Sequence, residues 1–493
     1  MSITLQSHTE SRQIENATTS AKETYKYSNL ELLDGFKSSQ IRNTDEKKNK
    51  IFDEKHEKER KELIYSNFQE YEPYNYCTSE KPTTYYDTLF HLLKVSVGTG
   101  IFALPSAFKD VGYIFGVAGI ILIILLYTYC LHLLFQSEYV LCKRKRTPNM
   151  SYANIVYIAF KETLPKYHWL AISGKFFTNF SFVIYESGGC VIYIIFISSN
   201  LKQLLDYNLH DEISLQLIMF YVTCPMILVC WVRNLKFLAP LSVTANIILI
   251  VCFLLVFWYE FREIPTFEGK LAFAGLSEMP VYLNTILFAI SSTGIILSLK
   301  SEMKHPAKFT SPTGVLNMAF IPLALLYAIF GFFGYLKYGN DIAGSVTLNL
   351  PQNELPAQII NSFSLLSVFI SYYLCYYVVF DIVWKNYLKN KCKNNLILEY
   401  VARTLFPIII FIIAYTIPNF KTFISLVGAF GICATSLVIP IVIHTLVFWN
   451  YYQTKTRFYI FLFKNMILLG ISMFIFVSGI LKSIIDVIEL YQK

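Results

Sequence analysis

The chain has 493 residues and a formal net charge of +8, with 54% hydrophobic and only 15% charged residues. A soluble protein carries about a quarter charged residues, so this composition points to a membrane protein and away from a soluble enzyme. The excess of basic residues falls in loops between apolar stretches, so it is not a nucleic-acid signal, and no nucleic-acid partner is expected. The ten cysteines show no pair at metal-ligand spacing, and none lies in a loop assigned to the outside. A zinc site and an external disulfide are therefore not expected.

In chain order, residues 1–83 are polar, with a mixed-charge run from Asp45 to Glu62, and read as a disordered cytoplasmic N-terminal tail. No cleavable signal peptide opens it. Within it, Glu59-Arg-Lys-Glu-Leu-Ile64 has the spacing of an acidic dileucine sorting signal, and Tyr65-Ser-Asn-Phe68 that of a tyrosine-based one. Residues 84–490 form the transmembrane domain. A spanning helix needs about 20 apolar residues. Hydropathy and breaker residues predict an all-α integral membrane fold of eleven transmembrane helices: 85–108, 112–136, 170–200, 213–232, 236–259, 281–300, 314–338, 356–384, 398–417, 421–448 and 458–487. The amphipathic stretch 151–163 is expected at the membrane interface.

Basic residues fix the orientation. With the N-terminus in the cytosol, inner loops carry seventeen Lys and Arg and the opposite side seven, so the C-terminus is expected to be extracytosolic. The 260–280 loop, with Glu260, Glu263, Glu268 and Glu278, falls on the outer side.

Two spans contain matching weak points. The first reads His91-Leu-Leu-Lys-Val-Ser-Val-Gly-Thr-Gly-Ile-Phe-Ala-Leu-Pro105 and the sixth Phe288-Ala-Ile-Ser-Ser-Thr-Gly-Ile-Ile-Leu-Ser-Leu299. Each holds Thr-Gly-Ile mid-span (Thr99 to Ile101, Thr293 to Ile295). Freed backbone groups in lipid cost several kcal/mol unless protein or cavity water satisfies them. Paired breaks in two halves are the sequence sign of a transporter's binding site. They predict a 5+5 inverted repeat with broken helices 1 and 6, plus one extra helix.

His91-Leu-Leu-Lys with Gly98-Thr-Gly-Ile and Phe102-Ala-Leu-Pro-Ser-Ala-Phe-Lys closely resembles the first span of the amino acid/auxin permease family, most of all its proton-coupled amino acid transporter branch. Asn200-Leu-Lys-Gln, Met303-Lys-His-Pro, Gly334-Tyr-Leu-Lys-Tyr-Gly, Gly344-Ser-Val-Thr-Leu-Asn-Leu-Pro351, Arg403-Thr and Ile424-Ser-Leu-Val-Gly428 extend the resemblance over about residues 84–490. It implies an eleven-span carrier of small amino acids, often with a proton. One departure stands out. Where the proton-coupled branch carries a glutamate before the span-six glycine, this chain reads Ile290-Ser-Ser-Thr-Gly294.

An amino-acid zwitterion needs a partner for each of its charges. An unwound helix offers N–H groups and a positive half-helix end to the carboxylate, and free carbonyls to the ammonium. The carboxylate is assigned to Val97, Gly98, Thr99 and Gly100 with the Ser96 and Thr99 hydroxyls. The ammonium is assigned to the carbonyls from Ala289 to Ser292, and side-chain selectivity to Phe288, Ser291 and Thr293. Glu186, mid-span three, is a proton acceptor or ammonium partner, or else an acid paired structurally with Lys175 or a neighbouring hydroxyl. His91 matches a family position thought to matter for proton coupling. Lys94 and Asp381 read as structural or gating charges, and Arg403 as snorkelling to the interface.

The expected function is a secondary active transporter of small neutral amino acids working by alternating access with proton coupling, in the plasma or lysosomal membrane, using no cofactor or metal. The alternatives are a proton-independent uniporter and an amino-acid sensor signalling through its tail.

Overall fold

A computed structural model describes residues 71–77, 82–210, 212–233, 239–262, 266–384, 395–449, 451 and 454–492. The mixed-charge run and both sorting-type patterns lie outside the described residues. One compact unit starts at Tyr71. Apart from an isolated parallel bridge between Thr83 and Met303, the regular structure among the described residues is helical.

After a 3-10 turn at Pro73–Tyr76 come α1 (Tyr85–Ser96), a 3-10 stretch Thr99–Ala103 and α2 (Leu104–Val111). Then follow α3 (Tyr113–Lys145), α4 (Tyr152–Thr163), α5 (His168–Leu209), α6 (Leu215–Cys230) and α7 (Ala239–Phe261). Next are α8 (Met279–Ile290), α9 (Thr293–Glu302), α10 (Val315–Tyr338), α11 (Leu355–Val383) and α12 (Leu396–Thr416). Helix α13 (Phe420–Val427) runs through a π-helical stretch, Gly428–Val438, into α14 (Ile439–Val447), and α15 (Lys455–Gln492) closes the chain.

Among the described residues, nine helical stretches are long and apolar enough to cross a membrane, ten if the pair α1 and α2, bent by 44°, counts as one span. The sixteen-residue apolar α6 falls where the sequence predicts span four. Local chemistry sets the ends. Thr84 opens α1 with a reciprocal capping box: its hydroxyl accepts from Asp87 N, and Asp87 Oδ2 accepts from Thr84 N at 3.1 Å. Gly112, at φ +85°, makes the sharp corner between α2 and α3, where a Cβ would stand 2.6 Å from Ala272 O.

Thr83, just ahead of α1, meets Glu302 and Met303 at the end of α9 and marks a near face, whereas Lys109 and Asp110 of α2 meet Asn340, after α10, and Lys421 of α13 and mark a far face. Helix α5, the longest, forms the centre and packs along α11, α4, α6, α12, α13 and the π-helical stretch. Helix α4 is embedded as well, with Tyr152, Ile155, Val156 and Ala159 buried.

Two charged residues differ from the sequence reading. Arg403 does not snorkel: it is buried, with Nε 3.0 Å from Glu399 Oε1, Nη1 donating to Cys230 O, and its guanidinium 4.4 Å over the Phe380 ring. A guanidinium with those partners has no need of the interface. Glu260 is not a loop residue, because α7 runs on to Phe261 and buries it completely.

Candidate functional site: a cavity beside two helix breaks

Helix α1 ends at Ser96 because Val97 turns out of the helix (φ −89°, ψ 87°) and Gly98 is extended. The second break lies at Ser291 and Ser292, between α8 and α9, two residues earlier than the centre of Thr293-Gly-Ile. Serine competes with the helix for backbone bonds, and the Tyr127 hydroxyl accepts the freed Ser292 N–H at 3.2 Å. Thr293 and Gly294 then stay helical. The broken spans run antiparallel and touch at their breaks. A Cβ on Gly100 would stand 2.7 Å from Ala289 Cα, whereas Gly98 has open space around it. Gly100 is therefore the glycine that the close approach requires.

Each half-helix end has spare backbone groups. Tyr327 of α10 answers two of them: its hydroxyl lies 2.6 Å from Ser96 O and 3.0 Å from Ala289 O, spanning both breaks. Thr293 Oγ1 is tied to Tyr127 Oη at 3.0 Å and to Ser436 Oγ, on the π-helical stretch, at 2.6 Å.

Beside the breaks lies a cavity of about 380 Å³. Helix α5 lines it with Phe182, Tyr185, Glu186, Gly189 and Tyr193, and α11 with Ser371, Leu374, Cys375, Val378 and Ile382. Both sets have the same 0, 3, 4, 7, 11 spacing, a single helical face. The sixth span adds Phe288, Ser291, Ser292, Gly294 and Ile295, while α1 adds Val95 and α4 adds Tyr152. Ile295 and Val378, toward the near face, are exposed. Glu186 makes no ion pair among the described residues. Its Oε2 accepts from the Cys375 thiol at 3.0 Å, and Oε1 faces Gly294. Lys175 instead lies over the Tyr157 ring.

The predicted residues thus separate. Glu186, Phe288, Ser291 and Ser292 line the cavity. Ser96, Thr99, Gly100, Ala289 and Thr293 are buried next to it, with the Ala289 carbonyl already held by Tyr327. Val97 and Gly98 are half-buried at the break. Among the described residues the buried Ser96 and Ser291 hydroxyls have no hydrogen-bond partner, so both have capacity to spare. His91 is exposed on α1, outside the cavity wall. The sequence reading missed Tyr185, Tyr193 and Cys375 on the wall and Tyr127 and Tyr327 behind it. In the aromatic run Tyr372–Tyr377 it is Leu374 and Cys375 that face the cavity, and Tyr372 and Tyr376 are buried on other sides.

The sequence matches the family described as transmembrane amino acid transporter protein over residues 81–485. The chain belongs to that family. Family members with curated descriptions include the Drosophila melanogaster "proton-coupled amino acid transporter-like protein pathetic", 32% identical and aligned over 86% of this chain and 89% of its own. The Arabidopsis thaliana "amino acid transporter AVT3B" is 25% identical over 82% of this chain and 94% of its own. These relatives are transporters, not enzymes, and this amino acid transporter family member is a multi-pass membrane protein. Among solved structures, a manganese transporter from Eremococcus coleocola aligns over 81% of this chain and 94% of its own at 12% identity and a TM-score of 0.38, a likeness too slight to bear on the fold.

Cys375 gives a direct probe of the cavity. A membrane-permeant thiol reagent is expected to block amino-acid movement in the wild type, with much slower inactivation of Cys375→Ser. Equal sensitivity of the two proteins would show that the Cys375 thiol does not face the path.

Proposed function

We propose that the protein is a secondary active transporter that moves small neutral amino acids by alternating access, with a proton. The observation that carries this reading is Glu186: an acid with no ion pair among the described residues, on the wall of a cavity framed by both helix breaks. An unpaired carboxylate away from water is costly, and a proton or a substrate ammonium relieves it. Two helix N-terminal ends, at Gly98–Thr99 and Ser292–Thr293, offer N–H groups and positive dipole ends suited to the substrate carboxylate. Ser96 and Ser291 supply spare hydroxyls, and the modest volume suits a small side chain. The loop charges favour a cytosolic near face in the plasma or lysosomal membrane, so this conformation, with Ile295 and Val378 exposed, reads as opening inward.

A proton-independent uniporter is the second reading. It is favoured by the sixth span, which brings hydroxyls and a glycine to the wall but no acid. The test is uptake of labelled small amino acids into proteoliposomes with and without a proton gradient, for the wild type and Glu186→Gln. Gradient-stimulated uptake that the variant loses while keeping exchange supports symport through Glu186. Stimulation unchanged in a well-expressed variant sinks the role of Glu186, and a wild type indifferent to the gradient selects the uniporter.

A further inference from the structure

A second buried acid lies apart from the cavity, near the far end of α7. Glu260 is 0% exposed, and among the described residues neither carboxyl oxygen has a hydrogen-bond partner. Its carboxyl is wedged between α10 and α2: a Cβ on Gly334 would stand 2.6 Å from Glu260 Oε1 and 2.5 Å from Pro105 Cγ.

The polar neighbours on every packed element are engaged elsewhere or do not reach it. Tyr259 of α7 and Arg262, just past its end, both donate to Glu354, at 2.8 and 2.6 Å, and Arg262 holds the Glu354 carboxyl below the usual carboxylate range. On α10, the Tyr335 hydroxyl accepts from Leu271 N at 3.1 Å. On α2, Lys109 donates to Asn340 O at 2.7 Å, and Asp110 is bridged by Lys421 at 2.5 Å. The acid in α11, Asp381, lies at the opposite end of that helix. A negative charge on Glu260 would stand alone among apolar atoms, at an effective penalty of several kcal/mol. Pro105 belongs to the far half of the bent first span, whose displacement would uncover the carboxyl to far-side water.

We infer that Glu260 is a second proton-exchanging carboxyl, shut in by Pro105 of α2 in this conformation and opened to far-side water when that half of the first span moves. The step is a simple equilibrium. When open, the carboxylate takes a proton from far-side water; when closed, it is carried as the neutral acid. Acid on the far side therefore favours closure. This inference rests on the proton-coupled reading above.

The experiment compares wild-type protein, Glu260→Gln and Glu260→Asp, full length, in proteoliposomes and by infrared spectroscopy. Glu260→Gln is expected to keep amino-acid exchange at the wild-type rate and to lose about tenfold of the far-side pH stimulation of net uptake. The wild-type spectrum at neutral pH is expected to contain a protonated-carboxyl band that Glu260→Gln removes and Glu260→Asp shifts. The aspartate keeps the acid if the glutamine fails to insert. Wild-type pH stimulation in Glu260→Gln, or a spectrum that loses no band, overturns the proposal. A wild type that ignores the gradient overturns the proton-coupled reading itself, and is recognised because Glu260→Gln then differs from it in no transport property.

Discussion

Replacing Lys300 by methionine lowers the stability of the protein by about 3–5 kcal/mol, the cost of removing one partner of a buried ion pair. Lys300, near the end of α9, and Glu138 of α3 are 2.5 Å apart, each side chain only 5% exposed. The ammonium also lies 5.0 Å over the Tyr74 ring and 5.1 Å over that of Phe135. Without it, the Glu138 carboxylate is left alone in a closed site. Replacing both partners by apolar residues, as in Glu138→Leu with Lys300→Met, removes the uncompensated charge and restores most of the loss. Thermal unfolding in detergent of the two single variants and the double one checks this. A double variant no more stable than either single would show that the pair's charges are not what matters.

Tyr327→Phe is expected to cost about 2–4 kcal/mol, because one missing hydroxyl leaves two buried carbonyls, of Ser96 and Ala289, without a donor. The loss should exceed that of Tyr373→Phe, whose hydroxyl serves the single carbonyl of Val232. Since the bridging hydroxyl joins the two breaks, amino-acid exchange should fall along with stability. A Tyr327→Phe protein that melts and exchanges as the wild type does would mean that water or a neighbouring group takes over both carbonyls.

The spans were readable because lipid allows little else: long apolar runs, bounded by Pro, Gly and basic clusters, leave few alternatives to helices. The first break was readable from Val97-Gly98, and the second only to within two residues, because its position depends on Tyr127, which is remote in sequence. Glu186 was legible because a lone acid in a span is costly. Phe288, Ser291 and Ser292 followed from their place at the second break, but the rest of the α5 and α11 wall was not legible. The 0, 3, 4, 7, 11 faces of α5 and α11 are made of ordinary core residues, and only their packing on each other decides which face turns inward. The buried state of Glu260 was hidden for another reason: hydropathy falls off at Tyr259-Glu260-Phe261-Arg262, so a helix end looked like a loop.

The segment ahead of the first span sets a practical limit on shortening the protein. Tyr139 donates to Glu72 at 2.8 Å, the Cys77 thiol lies 3.2 Å from Pro148 O, and Tyr74, its hydroxyl pushed up by burial against the pull of Lys300, roofs the ion pair. A version of the chain starting at residue 71 keeps that roof, whereas one starting at residue 78 opens Lys300 and Glu138 to water. Anyone trimming the tail to ease purification would then be handling a weakened protein, with the damage some 220 residues from the cut.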